Sequence, residues 1–302
     1  MQPQPVTFQE LLAKFIEAQD VASSSRATYA RQLRQFHAWL EATSKIHSLG
    51  QLQRQDVLDF KAHLQEAGRS SYTVSGYLTA VRRLFEWLEA EKIYPNVAKG
   101  VKGAKKAKGF RKDTLTPSQL REALDAMPKD TLEGLRNYAL FNLLVRTGLR
   151  TVEVARATVG DLRQESGEAV LWIQGKGRDT KDEFVLLTQE SLRPIRAYLA
   201  ARGPLEDTDA LFSSHSTKNY GQALTTRSLS RIVKDAFREV DLDSKRLTAH
   251  SLRHTAITLS LKGGATVQQA QAMARHADPR TTMVYAQNLS RIQDGAERFI
   301  NF

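Results

Sequence analysis

H-S-L-R-H at positions 250–254 and R-H-A-D-P-R-T-T-M-V-Y at positions 275–285 decide how this 302-residue chain reads. They bring Arg253, the imidazoles of His250, His254 and His276 and the phenol of Tyr285 into a short stretch, and R-T-G-L-R upstream ends in a second arginine, Arg150. That combination suits phosphate. A guanidinium presents a planar fork to phosphate oxygens, stays charged at any physiological pH, and can hold non-bridging oxygens while charge builds during displacement. The phenol is the natural attacking group.

The sequence around these islands is helical. Apolar spacing predicts helices over about 188–201, 226–240, 248–262, 266–275 and 279–287, and Asp278 before Pro279 gives an N-cap with proline at the first helical position, so Tyr285 falls on a short terminal helix. Upstream, Thr116, Pro117 and Gln119 combine an N-cap, a first-position proline and a capping-box partner. An apolar helix follows over about Leu132–Thr147 and breaks at Gly148, just before Arg150. Between them the period changes: Val170–Ile173 and Phe184–Leu187 are short β-prone runs flanking G-K-G-R-D-T-K at 175–181, a hairpin whose loop exposes Lys176. The first third holds four helices, with Phe8, Leu11, Leu12, Phe15 and Ile16, then Tyr29, Leu33, Phe36, Trp39 and Leu40, then Val57–Leu64, then Ser71–Ala90 carrying Tyr77, Leu78, Val81, Leu84, Phe85 and Leu88 on one side. Their aromatic residues read as core. The fold class is mainly α with a small β-sheet, in two domains, because 302 residues exceed what one ordinary core holds.

Charge points to a polyanion. The formal net charge is +11 and the pI near 9.8, and residues 1–112 carry 18 Lys and Arg against 10 Asp and Glu, whereas residues 113–302 carry 26 against 23. The densest basic run is Lys99–Lys112, with seven basic residues, three glycines and no acid. It reads either as a solvated flexible linker or as a basic hinge along DNA, which would release condensed counterions. The domain limits are therefore 1–95, a basic linker at 96–112, and 113–302. With 41% hydrophobic and 25% charged residues, the chain has the profile of a globular protein. No apolar run approaches the roughly 18 residues that span a bilayer, and the start lacks a signal-peptide layout, so no membrane partner and a cytoplasmic location are expected. Zero cysteines exclude disulfides and thiolate metal sites.

At these residues the chain resembles the tyrosine recombinases, the family of phage integrases, Xer recombinases and Cre. The likeness spans nearly the whole chain and implies a helical, SAM-like core-binding domain, a basic linker and a catalytic domain. R-T-G-L-R-x-x-E resembles the first arginine box and implies Arg150 as a catalytic arginine, with Glu153 as its buried support. The G-K-G hairpin is similar to the lysine-bearing β-turn and nominates Lys176 over Lys181. H-x-L-R-H implies His250 and Arg253, and His276 and Tyr285, nine residues apart, match the last box. Ala274-Arg275 departs from the Leu-Gly that precedes the final histidine in many Xer-like members, so no Xer assignment follows. The resemblance implies transesterification through a 3′-phosphotyrosyl link, with no metal, no ATP and no cofactor. It also implies double-stranded DNA at a specific site as partner, a monomer in solution and a homotetramer in the synaptic complex. From the length, the extra amino-terminal arm-binding domain of lambda-type integrases is not expected.

Each residue has a plainer reading when taken alone. Arg150 would be a solvated arginine at a helix start, Tyr285 a core edge, Lys176 ordinary turn chemistry; the ordered set reverses this. His250 and His254 are four apart on a helix, a metal-ligand spacing, but no H-E-x-x-H glutamate accompanies them and Arg253 between them repels a cation, so His254 reads as structural. Lys99, Lys102, Lys105, Lys106 and Lys108 of the basic run are candidate phosphate contacts, and Arg82, Arg83, Arg227 and Arg231 candidate base-edge readers. Ile292, Ala296, Phe299, Ile300 and Phe302 form an apolar stripe that docks either on its own domain or, as the family implies, on a neighbouring protomer. Two other functions fit the charge and helices: a non-catalytic DNA-binding protein, which would not need the full Arg-Lys-His-Arg-His-Tyr set, and a type IB topoisomerase, which shares the phosphotyrosine chemistry.

Overall fold

The computed structural model describes residues 7–43, 51–105, 113–175, 177–293 and 295–300. It divides into two compact units, Met1–Gly109 and Phe110–Phe302. The first is built of α1 (Phe8–Glu17), α2 (Ser23–Ala42), α3 (Arg54–Glu66) and α4 (Ser71–Ala90). Thr7 and Glu10 form a reciprocal capping box that starts α1, and Ser70 caps α4 through the Thr73 N–H. The apolar stripes converge on one core in which Phe15, Phe36, Phe60 and Phe85 are fully buried. The ring pairs Phe36–Phe60 and Phe15–Trp87 meet edge-on at 4.9 and 5.9 Å between centroids.

The stretch expected as a linker divides. Residues 96–105 pack on the first unit, where Ala98 and Val101 are buried in its core; Arg54 donates to the Lys99 carbonyl, Lys61 Nζ donates to the Lys102 carbonyl at 3.0 Å, and Ser75 Oγ to that of Ala104 at 3.4 Å. The backbone of this run is held while the Lys99, Lys102 and Lys105 side chains remain exposed. Lys106 and Lys108 lie outside the described residues. Arg82 donates within its own helix to the Leu78 carbonyl and Thr79, and Arg83 pairs with Glu86 at 3.4 Å.

The second unit runs α5 (Pro117–Ala126), α6 (Leu132–Thr147), α7 (Thr151–Ala155), β1 (Leu162–Glu165), β2 (Glu168–Gln174), β3 (Lys181–Leu186), α8 (Gln189–Arg202), α9 (Thr226–Arg238), α10 (Ala249–Lys262), α11 (Val267–Ala274) and α12 (Pro279–Gln293). Thr116 and Gln119 form the capping box expected for α5. The sheet is an antiparallel meander, β1-β2-β3, with Leu171 opposite both Leu162 and Val185. Its first strand escapes a reading of periodicity because L-R-Q-E carries a single apolar residue; the turn at Ser166 and Gly167, both at positive φ, fixes it instead. Helix α6 is the spine of the core, with Leu140, Phe141, Leu143 and Leu144 fully buried, and α8, α9 and α10 pack around it. Asp278 accepts from the Arg280 N–H at 2.9 Å, the cap expected at the start of α12. Beyond α12 a 3-10 turn covers Ala296–Phe299, and Phe299 and Ile300 are 78% and 61% exposed, so these two do not dock on their own unit. The side chains of Ile292 and Phe302 lie outside the described residues. No described helix is long and apolar enough to cross a membrane.

Candidate active site

Arg150 stands where α6 ends. Gly148 closes that helix in the left-handed region, φ 62°, donating to the Leu144 carbonyl, and two residues later Arg150 occupies the N-cap of α7. The Glu153 carboxylate, one turn on, accepts from the Arg150 backbone N–H at 2.7 Å and from its Nη1 at 2.8 Å. Glu153 is buried, and it also accepts from Arg275 Nη2 at 3.0 Å. Burial alone would raise the Glu153 carboxyl; the Arg275 charge and then the hydrogen bonds from Arg150 outweigh it and hold the group below its ordinary value.

Arg253 projects from α10 into the interior at 2% exposure, donating through Nη1 to the Gly148 carbonyl at 2.5 Å and through Nη2 to the Ala274 carbonyl. It thus clamps the C-terminal ends of α6 and α11, where unpaired carbonyls favour a cation. Burial and the charges of Arg150 and Arg275 lower it to about 10, so it remains charged at neutral pH. His250 sits exposed in the first turn of the same helix, its ring 4.7 Å from that of His254 and perpendicular to it. A cleft of about 310 Å³ opens here, lined by Arg150, Thr151, Ser230, His250 and Arg253.

The remaining two residues come from the following helices. His276 follows the C-cap of α11 and its Nδ1 shares a 2.9 Å hydrogen bond with the buried Thr282 hydroxyl. Burial, then Arg253, Arg150 and Arg275, depress its imidazole to about 4, which leaves it neutral at pH 7. Tyr285, on α12, packs with Ile257 and Ala274 at 4% exposure, and its ring lies 6.4 Å from that of His276. Its hydroxyl shares a 2.6 Å hydrogen bond with His254 Nδ1. Burial raises the phenol to about 12 despite the opposing pull of Arg253, and burial with neighbouring cationic groups lowers His254 to about 4. With the His254 proton on Nε2, Nδ1 accepts from the phenol.

The second unit therefore brings together Arg150, His250, Arg253, His276 and Tyr285. Lys176 lies outside the described residues; the other lysine of the hairpin, Lys181, is occupied by Asp161 at 2.5 Å. Arg227 and Arg231 are exposed on α9. Ser230 of that helix lines the cleft beside Arg150 and Arg253, whereas Arg231 lines a different one, with Arg136 and His215. Among the described residues no group of three His, Asp or Glu is arranged to hold a metal ion. Sequence reasoning missed three participants. His254 read as structural yet holds the phenol, with only its four-residue spacing from His250 as a signal. Thr282 orients His276, and Arg275 engages Glu153; no local pattern announces either.

Residues 113–291 match the family model described as phage integrase family, and residues 8–92 match that described as phage integrase, N-terminal SAM-like domain. A tyrosine recombinase of Synechococcus elongatus is 30% identical over 291 residues, covering 93% of this chain and 89% of that protein. The tyrosine recombinase XerD of Listeria monocytogenes is 27% identical over 283 residues, 92% of each chain. Among solved structures, XerH recombinase bound to a palindromic difH substrate in a post-cleavage complex superposes with a TM-score of 0.74 at 23% identity, over 95% of this chain and 84% of that one.

Proposed function

This chain belongs to the phage integrase family of tyrosine recombinases, and from that premise we propose that it is a site-specific DNA recombinase, cutting and rejoining strands through a 3′-phosphotyrosyl intermediate. The observation that carries the reading is the convergence of two arginines, two histidines and a buried phenol from four separate segments of one unit, with the Arg253 guanidinium held by the carbonyls of Gly148 and Ala274. A regulator that merely binds DNA has no use for a desolvated phenol beside such a cluster.

The chemistry follows from the side chains. Tyr285, with a phenol near 12, is neutral at rest and a poor attacker. A scissile phosphate gripped by Arg150 and Arg253 sets the electrophile against the ring, and the same cations stabilise the phenolate and the pentacoordinate transition state. The hydroxyl passes its proton to His254 Nδ1, its 2.6 Å hydrogen-bond partner, and turns toward phosphorus; the new P–O bond to Tyr285 forms as the bond to the 5′-oxygen breaks. That oxygen takes its proton from Lys176, a lysine with a reference pKa of about 10.4 and so charged at neutral pH. His250 assists proton transfer and His276, neutral and fixed by Thr282, donates to a non-bridging oxygen. The stored phosphodiester energy lets a new 5′-hydroxyl reseal the strand without ATP. The exposed Phe299 and Ile300 suit docking on a neighbouring protomer, two protomers per site and four in the synapse, assembled in the cytoplasm from monomers.

The test is a nicked suicide duplex carrying a sequence that the wild-type protein selects from a randomised pool. Wild type is expected to form a denaturant-resistant adduct with the 3′ end. Tyr285→Phe is expected to bind the same duplex and form none. An adduct that survives the substitution removes Tyr285 from the mechanism, and relaxation of supercoiled plasmid by isolated protomers, without strand exchange, favours the topoisomerase alternative.

A further inference from the structure

Arg275 is in an unusual position for a large side chain. It caps α11 at φ 52° and ψ 49°, in the left-handed region that glycine occupies freely and that costs other residues about 1–2 kcal/mol. The side chain it places there is 6% exposed, and burying a guanidinium is itself unfavourable; desolvation is the first cause of its lowered pKa. Two unfavourable features at one residue call for a compensating interaction. One is visible: Nη1 donates to the Met273 carbonyl at 2.6 Å and Nη2 to Glu153 Oε2 at 3.0 Å, while the buried Nε finds no partner among the described residues.

The compensation runs through the reaction's first arginine. Glu153 is divided: Oε1 accepts from Arg150 Nη1, and Oε2 from the Arg150 backbone N–H and from Arg275 Nη2. A carboxylate so shared has little freedom to rotate, and the Arg150 fork that rests on it inherits its orientation. Arg275 also immediately precedes His276, so the same guanidinium fastens the His276 segment to the start of α7. The neighbouring carbonyl, that of Ala274, is held by Arg253.

We propose that Arg275 is a positioning residue for strand cleavage: through Glu153 it locks Arg150 in the phosphate-gripping orientation and ties that arginine to the segment bearing His276. It touches no reacting atom and positions the site through these two neighbours. The proposal rests on the recombinase reading above.

The experiment measures the single-turnover rate of adduct formation at saturating suicide duplex, together with the duplex concentration giving half that rate. Arg275→Gly, which relaxes the backbone, is expected to fold and bind as wild type while the saturated rate constant falls about ten- to a hundredfold, the loss that misplacing a catalytic group brings. Arg275→Lys, which keeps the charge and one hydrogen bond, is expected to recover part of that loss. In a Glu153→Gln background the glycine substitution should add little, because both act on one element. A saturated rate equal to wild type in Arg275→Gly, or losses that multiply in the double variant, overturns the proposal. Should the glycine variant lose its cooperative melt, Arg275→Asn, which also tolerates the left-handed backbone, is read by the same criteria. A wild-type protein that forms no adduct sinks the recombinase reading and this proposal together, whereas an active wild type matched by Arg275→Gly sinks this proposal alone.

Discussion

Two imidazoles in the site titrate far below their unfolded value, and this makes stability depend on pH. His254 and His276 are held at about 4 in the fold against an ordinary imidazole value of 6.5, burial being the first cause for both. Between those values the unfolded chain binds protons that the folded chain refuses, so stability is fully present above about pH 6.5 and is lost as pH falls toward 4. Both rings are only partly desolvated, and with solvent screening allowed for, the two together contribute on the order of 2 kcal/mol. Urea midpoints at pH 7 and pH 4.5 should show this loss in wild type, and His254→Gln should show roughly half of it; an identical loss in the variant would remove His254 from the account. Glu153 offers a second check at this scale. Replacing it with Ala leaves Arg150 and buried Arg275 without their counter-charge, and breaking such a pair costs about 3–5 kcal/mol, readable as a lower urea midpoint. Arg150, His250, Arg253, His276 and Tyr285 were legible because their spacing on the chain is itself a pattern. Arg275, Thr282 and the grip of His254 were not, because each depends on a contact across 6–122 residues of sequence that no local pattern encodes.

Helices that carry strong punctuation are where sequence and structure agree most closely. α5 begins and α6 ends where Thr116 and Gly148 place them, since a cap satisfies orphan backbone groups locally. Elements without an apolar pattern of their own are the hardest to read: β1 has one apolar residue, and residues 96–105 look like a linker by composition although Ala98 and Val101, with Val97 and Ala104 beside them, dock them. The start of α6 supplies a sharp test. A Cβ built on Gly134 would lie 2.5 Å from the Pro128 carbonyl oxygen and 3.0 Å from Thr131 Oγ1, the very hydroxyl that caps this helix. Backbone cannot yield as a side-chain tip can, so Gly134→Ala should destabilise the second unit by about 2–3 kcal/mol despite alanine's better helix propensity. Thermal melting checks it, and a variant as stable as wild type would show that the 128–131 turn moves freely. Because α6 ends at Gly148, whose carbonyl Arg253 holds, a shifted α6 should also slow cleavage.

At the scale of the whole molecule, the distribution of charge decides how DNA is engaged. Most of the +11 lies in residues 1–112, whereas the proposed catalytic cluster lies in the second unit, so affinity and chemistry should be separable by mutation. In the packed part of the basic run, Lys99 and Lys102 use their carbonyls to hold Arg54 and Lys61, and their side chains, like that of Lys105, are exposed. A rigid backbone presenting lysines in this way loses less conformational freedom on binding than a loose tether would. Each ammonium that neutralises a phosphate adds about 0.9 to the slope of log affinity against log salt, so Lys99→Gln, Lys102→Gln and Lys105→Gln together should flatten that slope by about 2–3. Affinity should fall alike for selected and unrelated duplexes, because phosphate contacts carry no sequence information. At saturating DNA the adduct rate should hold, the cluster of Arg150, Arg253 and Tyr285 being untouched. An unchanged salt slope would make this run structural packing alone, and a lost rate at saturation would mean that these lysines also orient the bound strand for attack.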